Sequence, residues 1–163
     1  MRYFKDYFLT DDFFIRGHVP TGGGRLSALL NRPHKQFVEV EDATCIQAPD
    51  RCLHAARAVL RIDEILMAHE ASEAGDCGLR ALAGHASERI EVAVHVSGRA
   101  QLEVRGKLRR SLYEREDLGL RRFIVLTEPH ILWYDGAADL MRWFPDKLGY
   151  VILNLGRASL IHT

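Results

Sequence analysis

The stretch VLRIDEILMAH, residues 59–69, consists of an apolar run, a polar pair and a second apolar run. Near the end of the chain the stretch ILNLGRASLIH, residues 152–162, has the same order of apolar and polar positions. Short apolar runs rich in Ile, Val and Leu and separated by a few polar residues are typical of two strands joined by a tight turn. The two stretches therefore predict a strand–turn–strand unit that occurs twice.

Three earlier pairs of segments match in the same order along the chain: 13–19 with 90–96, 24–30 with 106–112, and 37–46 with 123–132. The offset between matched segments grows from 77 through 82 and 86 to 93. Such growth is expected if the second copy has longer loops, because added loop length costs little entropy. The segments predict a mainly β fold of two tandem small β-barrel or β-sheet units with short helices, packed pseudo-symmetrically.

The repeats divide the chain into four parts. Residues 13–70 form the first β-rich repeat and residues 89–163 the second. The segment between them, 71–88, is rich in small residues and contains three glycines, which is typical of a linker. Residues 1–12 are rich in Phe and Tyr. We expect them to form an aromatic arm outside the repeat, packed on one copy or on a partner chain.

Composition excludes several classes of protein. The 163 residues include 22 basic and 22 acidic side chains, so no overall field attracts nucleic acid or an anionic membrane. No apolar run reaches 18 residues, and the N-terminus lacks the pattern of a signal peptide. The three cysteines are irregularly spaced, which argues against a disulfide framework. We expect a cytoplasmic protein that does not insert into a membrane.

The segment RLSALLN, residues 25–31, is followed closely by Phe37 at the start of a strand. This arrangement resembles a family of small bacterial domains of unknown function with an RLSxLLN segment and a later FxxLTD strand. The second copy departs from the first feature with KLRRSL at 107–112 but keeps the second as FIVLTE at 123–128. A fainter resemblance, to Sm-like small barrels, rests on the final strand pair alone. Neither resemblance implies an activity or functional residues.

Motifs for catalysis or metal binding are missing from the sequence. The run Gly22–Gly24 lacks the lysine and hydroxyl residue of a phosphate-binding loop, and its glycines are typical of a turn. Metal sites need three or four converging ligands, and the one close Cys/His pair is Cys52 and His54. The sequence predicts no catalytic residue, no metal site and no cofactor. It favours a protein that is not an enzyme, although a small-molecule-binding enzyme stays open as an alternative.

Basic residues are in excess between Arg99 and Arg122, eight against four acidic residues. Single-stranded RNA is usually bound by basic surfaces with stacking aromatics, and Tyr113 is the one aromatic residue in this segment. The segment therefore predicts a weak candidate nucleic-acid site, whose contacts would be Arg105, Lys107, Arg109 and Arg110.

The loop at 133–148 in the second copy contains both tryptophans of the chain, and the matching loop of the first copy has no aromatic residue. Such a composition is typical of interface hot spots and equally of a loop folded over its own core. Its candidate protein-interaction residues are Trp133, Tyr134, Met141, Arg142, Trp143 and Phe144. We expect a non-catalytic bacterial interaction or scaffold protein with a protein partner or self-association; the second hypothesis is an Sm-like RNA-binding protein.

Overall fold

The computed structural model describes residues 5–48, 50–71, 88–114, 117–136 and 138–163. The first half of the chain supplies five strands: β1 Asp6–Thr10, β2 Phe14–His18, β3 Phe37–Ala48, β4 Arg51–Arg61 and β5 Ile65–Glu70. The second half supplies five more: β6 Arg89–Ser97, β7 Gln101–Arg109, β8 Phe123–Asp135, β9 Tyr150–Asn154 and β10 Ala158–His162.

Short helical segments join the strands. The helix α1, Leu26–Leu30, follows β2, and α2, Arg110–Glu114, follows β7. Four 3-10 turns lie at Ile62–Glu64, Asp117–Leu120, Leu140–Trp143 and Leu155–Arg157. The prediction of a mainly β fold with short helices is confirmed. In the segment 106–112, whose leucine spacing fits one or two helical turns, residues 106–109 instead complete β7 and the helix begins at Arg110.

All ten strands belong to one antiparallel sheet in the order β10-β6-β7-β8-β9-β5-β1-β2-β3-β4. The prediction of β-barrels is wrong, because the sheet is open. Its end strands β4 and β10 do not pair with each other among the described residues. The reason is that β9 of the second half pairs with β5 of the first, so the halves join edge to edge and neither closes on itself.

The strands β5 and β9 lie at the centre of the sheet and join the two halves. Their registered pairs are Met67 with Leu153 and Ala68 with Ile152. Every residue of β9, and all but the last of β5, is buried. A continuous apolar run is the pattern of a strand that is covered on both faces, which explains why these two segments are the most uniformly apolar of the chain.

Two hydrophobic cores lie along this junction, and each contains residues of both halves. Leu9 and Phe14 of the first half pack in a core formed mainly by the second half. Phe123 and Ile152 of the second half pack in a core formed mainly by the first half. Because neither half has a core of its own, the two halves form a single packed body.

Hydrogen bonds also tie the halves together at α1. Asn31, the last residue of the segment RLSALLN, caps this helix. Its Oδ1 accepts from the backbone N–H groups of Arg122 (3.0 Å) and Phe123 (2.9 Å), and its Nδ2 donates to the Phe123 carbonyl (3.1 Å). The asparagine thus fixes the start of β8 against the helix of the other half.

Both halves contain a β-bulge at which a long strand bends. In the first half the register of β2 and β3 shifts beside Gly17, where Asp42 has φ 47°. In the second half the register of β7 and β8 shifts beside Gly106, where Glu128 has φ 51°. The matched segments 37–46 and 123–132 are therefore parts of bent, continuous strands.

Two further predictions about chain organisation come out differently, and a third is not tested. Within the predicted aromatic arm 1–12, residues 6–10 are the strand β1, which pairs with β2 and β5, so this described part belongs to the sheet. Tyr7, Phe8 and Leu9 favour a strand, but a strand of five residues is hard to recognise in a segment rich in aromatic residues. The segments 13–19 and 90–96 lie in β2 and β6, which occupy different places in their halves. The predicted linker 71–88 lies mostly outside the described residues.

Candidate functional site

The aromatic segment 133–148 is split between core and surface. Phe144 is only 6% exposed and packs edge-to-face on Phe14, with ring centroids 5.1 Å apart. Tyr7 of β1 lies 6.1 Å from the same ring. Leu140, in the 3-10 turn, is buried as well. This part of the segment therefore covers the hydrophobic core.

The other candidate residues of the segment lie in different environments. Trp133 is on β8 and 47% exposed. Tyr134 and Met141 are partly buried against the core. The Arg142 guanidinium lies 4.9 Å from the centre of the Trp143 ring, a cation–π contact within the segment itself. The six predicted interaction residues thus do not form one exposed aromatic patch.

A basic cavity of about 160 Å³ lies beside α1, at the junction of the two halves. It is lined by five cationic side chains: Arg25, Arg89, Lys107, Arg109 and Arg121. Ser27, Thr127 and Tyr150 add hydroxyl groups to its wall. Arg25 and Ser27 come from the first half, whereas the other lining residues come from the second. The cavity therefore depends on the packing of α1 against β7 and β8.

Hydrogen bonds hold several of these groups in place. The Arg89 guanidinium donates to Thr127 Oγ1 (2.9 Å), and Lys107 Nζ lies 2.7 Å from Glu128 Oε2. The bond and the charge of Lys107 lower the pKa of the Glu128 carboxyl. An ammonium group so placed can still share its remaining protons with a second anion.

A buried acidic group lies behind the cavity. The Tyr150 hydroxyl donates to Glu70 Oε2 (2.7 Å), and burial, followed by this bond, raises the pKa of Tyr150. Asp6 pairs with Glu70 across β1 and β5 and is itself buried. Burial raises the pKa of Asp6 to about 7, although its Oδ2 accepts from the Val19 N–H (3.0 Å). Asp6 thus lies inside the fold, Glu70 is partly exposed beside it, and the cations line the cavity.

Two of the four basic residues predicted from the sequence line this cavity. They are Lys107 and Arg109. Arg105 Nε instead lies 3.7 Å from Glu91, and Arg110 pairs with Glu88 (3.0 Å). Arg121 lies in the basic segment between Arg99 and Arg122 but was not among the four predicted contacts. Arg25 and Arg89 lie outside that segment, and only the sheet order brings them to the cavity.

The sheet ends in two strands that each pair on one side only among the described residues. β4 pairs with β3 and is exposed over most of its length, with Leu53 at 64% and Val59 at 61%. β10 pairs with β6 and exposes Leu160 at 52%. A strand edge presents unpaired backbone N–H and C=O groups, which readily accept another strand. Neither a charged residue nor proline protects β10, whose sequence is ASLIH.

One group of potential metal ligands comes together on the outer face of β6, β7 and β10. The ligand atoms of His95, Glu103 and His162 lie within 4.8 Å of one another. A tetrahedral zinc site with bonds of about 2.0–2.1 Å has ligand atoms about 3.3 Å apart. The His95 and His162 rings stack with centroids 5.6 Å apart, and His95 Nε2 lies 3.6 Å from Glu103. These contacts account for the cluster, which is too open for a preformed metal site.

A nucleophile and a base also meet on β4. Cys52 Sγ lies 3.5 Å from Nε2 of His54. The other ring nitrogen of His54, Nδ1, lies 3.2 Å from Thr44 Oγ1. Cys52 borders a surface depression, but His54 is not among the residues that line it. The base therefore lies outside the space that a substrate would occupy, and we assign this pair no catalytic role.

No helix of the described residues is long and apolar enough to cross a membrane. Comparison of the chain with protein-family models, curated proteins and solved structures finds no match. The two resemblances drawn from the sequence therefore stay expectations.

Proposed function

We propose that the chain is a non-catalytic assembly protein made of two copies of a five-strand unit. In this proposal the free edges β4 and β10 join successive molecules head to tail. The contact between molecules repeats the contact that β5 and β9 make within one molecule. The protein acts in the cytoplasm, which suits its irregularly spaced cysteines.

The order of strands supports the duplication. The first half reads β5-β1-β2-β3-β4 across the sheet and the second β10-β6-β7-β8-β9. If the strands of each half are numbered from one to five along the chain, both halves have the strand order 5-1-2-3-4 across the sheet. In both halves a helix follows the second strand and a 3-10 turn separates the last two. Strand order and helix position are independent of the residue matches that first suggested a repeat.

The two β-bulges are a second support. Gly17 and Gly106 lie at the bend of the second strand of each half. A Cβ at Gly17 would lie 2.6 Å from the Glu41 carbonyl oxygen, and one at Gly106 would lie 3.0 Å from that of Thr127. A Cβ would collide with the neighbouring strand at Gly17 and would be crowded by it at Gly106, so both glycines lie at a close approach of that strand. A bulge with glycine at the same strand of each half is what a duplication predicts.

The internal junction specifies which residues would meet between molecules. Residues 59–69 match 152–162 at an offset of 93, so β4 corresponds to β9 and β10 to β5. The internal pair of Met67 with Leu153 then predicts Leu160 of one molecule opposite Leu60 of the next. In the same way, the internal pair of Ala68 with Ile152 predicts that Ile161 of one molecule lies opposite Val59 of the next.

Because the two edges differ, this contact is heterologous and one molecule can use both edges at once. Such contacts produce closed rings when the rotation between neighbours closes and filaments when it does not. Pairing would cover Val59 and Leu160, which are among the most exposed apolar side chains of the described residues. It would also remove the two strand edges that otherwise invite aggregation.

Sedimentation velocity over a range of protein concentrations tests the proposal. We expect the wild-type chain to sediment as species larger than its 18.5 kDa monomer. Leu160→Lys places a charge on the β10 edge, the device by which natural edge strands avoid pairing, and should give a monomer. Leu120→Lys, at an exposed site in a 3-10 turn, is the matched control and should assemble as the wild type does.

A monomeric wild-type chain at every concentration would overturn self-assembly. So would a Leu160→Lys chain that assembles normally. Circular dichroism of each variant establishes that a change in sedimentation comes from the edge and not from unfolding.

RNA binding by an Sm-like protein is the second candidate function, and the basic cavity is the observation that favours it. The sheet is open and does not close into barrels, so this candidate function rests on the cavity and not on the resemblance to Sm-like small barrels. A salt-dependent interaction with single-stranded RNA that is weakened by charge reversal at Arg109 would support this function. It ranks second because the cavity offers a single aromatic side chain, Tyr150, which is buried.

A further inference from the structure

The five cations around the cavity stand out in a chain whose formal net charge is zero. Among the residues that the structure describes, no carboxylate lines the cavity. Even if Glu70 and Glu128, which contact its wall, are both counted, positive charges exceed negative ones by three among these described side chains. Bringing like charges together costs energy in the folded chain. An anion bound among them would offset that cost.

The kind of cation indicates the kind of anion. Four of the five are arginines, whose planar guanidinium groups match two oxygens of a phosphate at a time. The Ser27 hydroxyl lies on the same wall and can donate to a further phosphate oxygen, whereas the Thr127 hydroxyl donates its proton to the Lys107 carbonyl (3.4 Å). Thr127 is held in position by the Arg89 guanidinium. The cavity thus combines positive charge with oriented donors.

The shape of the cavity indicates a small ligand. Proteins that bind single strands of nucleic acid do so with an extended basic groove and exposed aromatic rings on which the bases stack. Here the cations converge on a recess of about 160 Å³, and its one aromatic residue, Tyr150, has its hydroxyl bonded to Glu70. The neighbouring cations Arg105 and Arg110 are engaged with acidic residues away from the recess.

We propose that this cavity binds the phosphate or diphosphate group of a small phosphorylated molecule. Arg109, Arg121 and Lys107 hold its oxygens from the second half of the chain, and Arg25 does so from the first half. Because the ligand touches both halves, its binding stabilises their packing at the β5·β9 junction. The proposal does not rest on self-assembly, which involves the opposite edges of the sheet.

Isothermal titration of the full chain with inorganic pyrophosphate, at physiological ionic strength, measures the binding. We expect saturable binding to one site, with a parallel rise in the thermal midpoint. Arg109→Ala and Arg121→Ala should each weaken binding by about tenfold or more, since each removes a charge-assisted hydrogen bond. Arg105→Ala removes the same charge from the same strand outside the cavity and is the matched control, with binding expected to be unchanged.

Three outcomes would overturn the proposal. One is the absence of binding by pyrophosphate and by inorganic phosphate. Another is an equal loss of affinity in Arg105→Ala, which would indicate non-specific attraction to basic surface. The third is tighter binding of a single-stranded oligonucleotide whose affinity depends on Arg105 and Arg110, which would favour an RNA site. Circular dichroism establishes that each variant is folded. Arg109→Lys tests whether positive charge without the guanidinium geometry is enough to keep the affinity for pyrophosphate.

Discussion

Asp6 makes the stability of the protein depend on pH in a direction opposite to that of an ordinary carboxylate. The side chain is 7% exposed, and burial raises its pKa from 3.8 to about 7. In the folded state the proton is therefore retained up to neutral pH, whereas the unfolded chain releases it near pH 4. Since the folded state binds more protons between these two values, the contribution of Asp6 to stability falls as the pH rises.

The size of the effect follows from the displacement of the pKa. Each unit by which the pKa is raised corresponds to about 1.4 kcal/mol of free energy. Between pH 5 and pH 8 the contribution of Asp6 to the free energy of unfolding therefore falls by about 2 to 3 kcal/mol. Asp6→Asn keeps an oxygen to accept from the Val19 N–H but cannot ionise. The variant should therefore gain about 2 to 3 kcal/mol relative to the wild type on going from pH 5 to pH 8.

Urea unfolding at pH 5 and pH 8, at one ionic strength, measures this difference. Comparison of variant with wild type cancels the other groups that titrate in this range, including His69, whose pKa is lowered mainly by burial. Asp135→Asn, at an exposed position of β8, controls for the loss of a negative charge. If the free energy of unfolding changes by the same amount in Asp6→Asn and in the wild type between pH 5 and pH 8, burial does not raise the pKa of Asp6 as described.

Three other substitutions test the fold around the candidate sites, each by urea unfolding. Phe144→Ala should lower the free energy of unfolding by about 3 to 5 kcal/mol because the ring packs in the core. A loss below about 1 kcal/mol would contradict the burial of this ring. Asn31→Ala should cost about 2 kcal/mol or more, since two backbone N–H groups lose their acceptor. Gly17→Ala should cost about 2 to 3 kcal/mol, because its Cβ would lie 2.4 Å from Val40, and an unchanged midpoint would contradict the close strand approach.

The regularly patterned strands of this protein could be predicted from its sequence, and the sheet that they form could not. Apolar runs such as 65–69 and 150–154 can be recognised as strands, because a strand buried on both faces has few polar positions. The edge-to-edge joining of β5 with β9 depends on packing between segments far apart in the sequence, which no local pattern encodes. The expected barrels were wrong for this reason.

The candidate sites were harder to predict than the strands. Trp143 and Phe144 have the composition of an interface, but core and interface use the same aromatic residues, so composition alone could not decide that Phe144 is buried. The basic cavity needs Arg25 beside Arg109, which are far apart in sequence and meet through the packing of α1 on the second half. Lys107, Arg109 and Arg121 lie in the segment that local charge singled out, whereas Arg25 and Arg89 do not.

The most direct test of the central proposal is a disulfide between two molecules at the predicted register. In a background with Cys45, Cys52 and Cys77 changed to Ser, one chain carries Val59→Cys and a second carries Ile161→Cys. Residues opposite each other on antiparallel strands have Cα atoms about 4.5 to 5.5 Å apart, within the range of a disulfide. The mixture should form a dimer under mild oxidation that neither chain forms alone, and Arg57→Cys mixed with Ile161→Cys should form far less. A mixture that stays monomeric, or that crosslinks equally well from position 57, would contradict pairing of β4 with β10 in the register of the internal junction.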